Sequence, residues 1–375
     1  FLEQAKGSMD NLITNERSHD LSYSNLRENE ARNIAVLGEG NVTLSGGVHN
    51  HLLEKTTRKY GFPGMYVQPL LFWHNVKGLR VENLHLENFR WWSMLHIMVS
   101  DAVLRNLDFH VIPHVPNLDG IDLRIGCHDF FIENITGRTG DDTLALTGLL
   151  GKGEINYAVR GKDIHIRNVK VRNLKADSNT CYLVRLLNHD GCRESGIDMD
   201  VIMDASDPTS AVRNHAAVAV GSPYYYAEHP AGAEDTSGLR FSNVYSRGDC
   251  ALALNHVIRD AVFTNVHTFS DCKGLAGSFA EGCSFDNVLI HHAFYEYEHP
   301  KLREGECSPR EVPSQAVLSL PVLNGELKVC GLVSGPAGRM VSAPSGNGKL
   351  ILEQAAAEKL WEEDRLGENV RVIRR

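Results

Sequence analysis

The sequence predicts an all-β parallel β-helix, a solenoid of stacked strand turns. Three observations predict it. Short Val/Ile/Leu/Phe segments recur along the 375 residues, each alternates polar and apolar positions, and no long amphipathic helix fits between them. The recurring segments, in order, are "LRVENLHL", "AVLRNLDF", "FFIENITG", "IHIRNVKV", "IDMDVIMD", "LRFSNVYS", "AVFTNVHT" and "CSFDNVLI". Their shared asparagine falls at Asn83, Asn106, Asn134, Asn168, Asn243, Asn265 and Asn287, with Val201 in its place in the fifth copy. Alternation of period two marks each copy as a strand, and glycine or charged turns separate the copies. The lack of a helix per repeat argues against a doubly wound sheet and against a leucine-rich horseshoe. Equivalent residues of a β-helix stack rung on rung, so the asparagines are expected to point inward and form an amide ladder that satisfies buried backbone groups.

The first rung is read in "NIAVLGEGNVTLSGG", residues 33–47, and rungs continue to about residue 295, giving one domain over residues 1–375. Irregular insertions at 149–162, 204–215 and 222–237 are expected to wall a groove on one side of the coil. After 295, C-terminal strands and a capping helix at 349–365 are expected, because "KLILEQAAAEKLWEEDR" has helix-forming composition and a solenoid end exposes strand edges.

Composition narrows the partner. A formal net charge of -9 argues against a nucleic-acid polyanion, and no stretch is apolar enough to span a bilayer. An acidic polymer would need a local cationic cleft. The eight cysteines form no Cys-x-x-Cys pair, and buried free thiols are the expectation. No histidine spacing suggests a metal, so neither metal nor cofactor is expected. A monomer is expected, since a capped solenoid needs no partner. The chain begins at Phe1, so a signal peptide, if the protein carries one, would lie outside it.

The chemistry is concentrated in "NLDGIDL" and "TGDDTLALTG". Asp119 precedes Asp141 by 22 residues and Asp142 by 23, about one rung, which brings the carboxylates onto neighbouring strands about 5 Å apart. Repulsion at that distance raises at least one pKa, leaving one carboxyl to donate a proton and others to activate water. Turn chemistry or a calcium site would use the same residue types.

These motifs, with "PLLFWHNVKGLRVENLHLENFRWWSMLHI" before them, resemble glycoside hydrolase family 28, the polygalacturonases and their relatives, over about residues 30 to 150. The resemblance implies a right-handed coil, a secreted or periplasmic protein, and inverting hydrolysis in an acidic polysaccharide such as pectin, of polygalacturonase or rhamnogalacturonan type. The family's Asn-Thr-Asp element matches Asn117, Leu118 and Asp119, and its Asp-Asp pair matches Asp141 and Asp142. By that match Asp142 is the general acid, and Asp119 and Asp141 position water. The family's Gly-His-Gly and Arg-Ile-Lys elements are absent from the rungs that follow. His189 and Arg185 are the nearest substitutes, and His114 and Tyr225, the latter in the run Tyr224 to Tyr226, are further candidates for touching substrate. Trp91 and Trp92 are expected in the core. Two other readings use the same coil: a β-helix lyase or epimerase with Ca²⁺ held by aspartates, and a carbohydrate-binding protein without activity.

Overall fold

The computed structural model describes residues 1–6, 10–48, 69–112, 117–179, 181–208, 210, 212–221, 229–270, 273–278, 282–297 and 315–375. Among these residues 25 strands join in one sheet with parallel ladders, wound as a right-handed parallel β-helix. Apolar side chains fill the coil in continuous columns. Leu79, Ala102, Phe130, Val169, Ile197, Leu239, Ala261, Val288, Leu327 and Leu350 stand in register, one per rung, and all are buried. In a neighbouring column Phe241 stacks on Phe263 at 5.4 Å between ring centroids.

The repeated asparagine marks a corner. Asn83, Asn106, Asn134, Asn173, Asn243 and Asn265 all have φ between 55° and 61°, the left-handed region that asparagine and glycine tolerate best. Such a residue turns the strand, so two inward residues can flank the pair x-Asn, and the alternation slips by one. The ladder exists, but on the solvent side: Asn106 Nδ2 donates to Asn83 Oδ1 at 2.8 Å, Asn134 to Asn106 at 2.9 Å, Asn173 to Asn134 at 2.9 Å and Asn265 to Asn243 at 2.6 Å. The inward orientation expected from the sequence is therefore corrected. A left-handed corner throws its Cβ outward, and the strand ladders already satisfy the backbone inside. Asn168 and Asn287 belong to a second corner column, where they donate to Asp129 and Asp260 at 2.9 and 2.7 Å.

Val201 occupies the first column at φ 60°, where a branched side chain is strained. Asn243, lacking an amide below it, donates to Asp200 at 2.7 Å instead. Val201→Asn is expected to raise stability by about 1 kcal/mol by relieving that strain and completing the ladder between Asn173 and Asn243. A denaturant midpoint equal to or below that of the parent would mean that the Val201 methyls pack well enough to outweigh it.

The coil runs past residue 295. Strands Ala316–Ser319 and Leu323–Ser334 continue it, followed by Arg339–Ala343, Lys349–Glu353, Ala356–Ala357, Arg365–Leu366 and Arg371–Arg374. The capping helix expected at 349–365 is thus replaced by strands. Leu350 and Leu352 enter the core at 0% and 1% exposure with Ile351 between them at 7%, whereas Leu360, which a helix would place on the same face, is 40% exposed. The open edge of Leu323–Ser334 offers backbone partners all along its length, and that outweighs the helix propensity of Ala, Glu and Lys.

The insertion at 149–162 forms two short 3₁₀ turns, Leu150–Lys152 and Glu154–Tyr157, that fold back on the N-terminal segment. Asn25 donates from Nδ2 to the Asn156 carbonyl at 2.6 Å, and the Tyr157 carbonyl lies 2.9 Å from Nε2 of the buried His74. This insertion therefore ties the start of the coil to its middle.

Candidate active site

The aspartates sit at the entry to one column of short strands, Ile121–Leu123, Leu144–Leu149, Tyr182–His189, Ala216–Val220 and Cys250–Leu254. The Gly120 N–H donates to the Asp142 carbonyl at 2.9 Å, which sets Asp119 directly beside Asp142 one rung on. Gly120 allows that approach, because a Cβ there would lie 2.6 Å from the Thr143 carbonyl oxygen. The one-rung spacing read from the sequence thus brings Asp119, Asp141 and Asp142 together.

Each carboxyl has its own surroundings. Asp141 accepts from the Asn117 N–H at 3.2 Å and from the Asp142 N–H at 3.0 Å, so Asn117 joins the site through its backbone. Asp142 is buried, accepts from the Tyr182 N–H at 3.2 Å, and faces Arg185 Nη1 at 3.3 Å. Arg185 therefore reaches the aspartates from the next rung. Burial pushes the Asp142 carboxyl up to about 7 against the opposing pull of Arg185. Asp119 is 6% exposed, and among the described residues its Oδ1 has no hydrogen-bond partner. Burial, with the charges of Asp141, Asp122 and Asp142, drives its pKa well above the usual carboxylate range.

A fourth carboxyl completes the cluster, and the sequence reading gave it no role. Asp122 is fully buried and accepts from Arg124 Nη2 at 2.8 Å, while Arg124 Nη1 donates to the buried Glu154 at 2.9 Å. The guanidinium lies 4.2 Å over the ring of Trp92. Burial lifts Asp122 to about 7 despite that cation. The signal was present in "DGID", three residues after Asp119, but Arg124 and Glu154 are 30 residues apart and nothing in the sequence links them.

The other candidates divide. His189 pairs with Leu149, seven residues along the strand from Tyr182, roughly 20 Å from the aspartates at the usual rise per residue. The structure therefore corrects its placement, since it sits at the far end of the strand against His256. His114 and Tyr225 lie outside the described residues. Trp91 and Trp92 are 7% and 6% exposed. Trp92 packs in the core and Trp91 meets it edge-on at 6.2 Å. Beyond Arg185 the outward positions shrink to Ala219, Ala253 and Gly277. This leaves a small depression, with about 10 Å³ of cavity volume, whose lining includes Tyr182, His215, Asn255 and Lys273.

Cys181 adjoins the pair. Its sulfur lies within 4.8 Å of a carboxylate oxygen of each, and burial together with the Asp141 and Asp142 charges raises its pKa. The described cysteines, Cys127, Cys181, Cys192, Cys250, Cys283 and Cys330, are all free thiols, most of them buried.

No protein-family model matches the chain, and no curated protein matches it. Among solved structures it is similar to a hyperthermoactive exopolygalacturonase from Thermotoga maritima, at 14% identity and a TM-score of 0.35, covering 92% of this chain and 70% of that one. It is similar to a family 28 exopolygalacturonase from Yersinia enterocolitica at 9% identity and a TM-score of 0.39, covering 91% of this chain and 59% of that one. The Agl-KA catalytic domain is 12% identical with a TM-score of 0.44, covering 93% and 59% of the two chains.

Proposed function

We propose that the protein is a glycoside hydrolase that cleaves an acidic polysaccharide of the pectin type with inversion at the anomeric carbon. The observation that carries this reading is the packing of Asp119, Asp141 and Asp142 on adjacent rungs, with burial lifting Asp142 to about 7, where it carries a proton in about half of the molecules at neutrality. A neutral carboxyl beside ionised ones is what leaving-group protonation and water activation require together. In the reactive form the proton resides on Asp142, which donates it to the glycosidic oxygen as the C–O bond breaks. Asp141, held by two N–H groups, and Asp119, in its ionised state, orient the attacking water and accept its proton. Arg185 offers the nearest cation to a uronate carboxylate, and its contact with Asp142 exchanges for the substrate as the glycan enters. The small outward residues beyond it, Ala219, Ala253 and Gly277, continue the face along which the rest of the glycan would lie.

The test is turnover of pectin, homogalacturonan and rhamnogalacturonan fragments, following new reducing ends together with the ultraviolet absorbance of unsaturated uronates. Reducing ends without that absorbance are expected, and proton NMR of the first product is expected to show the anomer opposite to the substrate linkage. Absorbance in place of reducing ends would establish a lyase. Binding without either would establish a lectin-like protein.

A further inference from the structure

We propose that the aspartate cluster is also a binding site for a thiophilic divalent cation of the Zn²⁺ or Cd²⁺ class, held by Asp141, Asp142 and Cys181, with Asp119 beside them on the neighbouring rung. The three ligand atoms lie within 4.8 Å of one another, the one such group of three or more His, Cys, Asp or Glu residues among the described residues. Ligands of a tetrahedral ion with metal–sulfur and metal–oxygen bonds of about 2.3 and 2.1 Å stand about 3.6 Å apart, so an inward settling of about 1 Å closes the site.

A second observation points to the same place. Asp119 is 94% buried by its 6% exposure, and among the described residues its Oδ1 is unpartnered beside the negative fields of Asp141 and Asp142. A buried oxygen without a donor is costly unless a proton or a cation sits on it. The charge balance agrees. Of the four carboxyls Asp119, Asp122, Asp141 and Asp142, Asp122 pairs with Arg124, which is shared with Glu154, and Asp142 pairs with Arg185. The carboxylates are also held in place from outside, by the N–H groups of Asn117, Asp142 and Tyr182, as ligating carboxylates commonly are.

The thiol selects the ion. Sulfur is a poor ligand for Ca²⁺ or Mg²⁺ and a good one for Zn²⁺ and Cd²⁺. On binding, the S–H bond breaks, a metal–sulfur bond forms and the proton passes to buffer, with no change of oxidation state. Such an ion would occupy the oxygens that the hydrolytic reading needs, so it acts as an inhibitor rather than a cofactor. The cation site itself does not depend on that reading.

The test uses the full chain and Cd²⁺. Titration by calorimetry, with the ultraviolet thiolate-to-cadmium charge-transfer band as a second readout, is expected to give one ion per chain and a band of one thiolate. In Cys181→Ser the band should vanish and affinity should fall about tenfold or more. In Asp141→Asn affinity should fall while the band survives at saturation, which separates ligand loss from misfolding; thermal melts of both variants check the fold. Ca²⁺ at the same concentration should give no heat. No band in the parent, or a band that persists in Cys181→Ser, would overturn the proposal, the latter by placing the ion on another thiol. Where the chain also hydrolyses a glycan, Cd²⁺ should inhibit the parent more strongly than Cys181→Ser; failure of hydrolysis alone leaves the spectroscopic result standing.

Discussion

Asp142→Asn is expected to lower the rate of reducing-end release by at least about a hundredfold while leaving the fold intact. The side chains are isosteric, and the amide oxygen can still accept from the Tyr182 N–H that Asp142 Oδ1 meets at 3.2 Å. What disappears is the transferable proton. The loss should depend on the leaving group: a substrate whose departing group needs no protonation, such as a glycosyl fluoride, should recover most of the parental rate. Asp119→Asn, which removes a water-orienting carboxylate, should show no such recovery. Both carboxyls are buried and both are raised, so geometry alone allows either to hold the proton, and this pattern of rescue assigns it. Rescue in Asp119→Asn and not in Asp142→Asn would exchange the two roles. Full activity of Asp142→Asn on the natural polymer, with an unchanged melt, would remove the carboxyl cluster from the chemistry altogether.

The fold was legible because strand alternation and rung spacing are local properties of the sequence. The corner was only partly legible. Ile166-Arg167-Asn168-Val169 and Phe285-Asp286-Asn287-Val288 carry the same apolar-x-Asn-apolar pattern as Val81-Glu82-Asn83-Leu84, yet they turn a different corner. Only the register, in which Asn173 rather than Asn168 meets Asn134, separates the two columns. The aspartates of the site were legible for the same reason as the rungs, since Asp119 and the Asp141–Asp142 pair recur at the period of the coil. Arg124, Glu154 and Cys181 were not. Glu154 arrives from an insertion, whose path no repeat predicts, and Cys181 follows a rung interval of 40 residues from Asp141 to Cys181, well over the spacing that linked the aspartates. His189 failed for a related reason. Nearness in sequence to a missing motif says nothing about position along a strand, and seven residues of extended chain carry a side chain out of reach.

Arg124→Met should be the most destabilising single change near the site, costing about 3–5 kcal/mol at neutral pH, because it leaves two fully buried carboxyls without their shared cation. Methionine keeps most of the volume and the contact with the Trp92 ring, so the loss is electrostatic rather than a cavity. The effect should shrink as pH falls, and the sign follows from the shifts. Asp122 rises from 3.8 in the unfolded chain to about 7 in the fold, so the folded state binds the extra proton, and the stability this contributes is present below about 3.8 and is lost as pH rises through about 7. Burial raises Glu154 in the same direction. Without Arg124 both carboxyls move higher still, and in acid both become neutral and no longer need the guanidinium. Urea midpoints of parent and variant should therefore lie closer together near pH 5 than near pH 8. Adding Glu154→Gln to Arg124→Met should recover part of the loss at the higher pH by removing one of the two stranded charges, whereas Glu154→Gln alone should weaken the hold on Arg124. A loss independent of pH, or one that Glu154→Gln deepens, would mean that Arg124 supports the fold through packing on Trp92 and not by binding the two carboxyls. The same variant bears on the site, because Arg124 fixes Asp122, whose charge helps to raise Asp119. A protein that keeps its fold near pH 5 but loses control of the Asp119 proton would show that the insertion at 149–162 reaches the chemistry through Glu154.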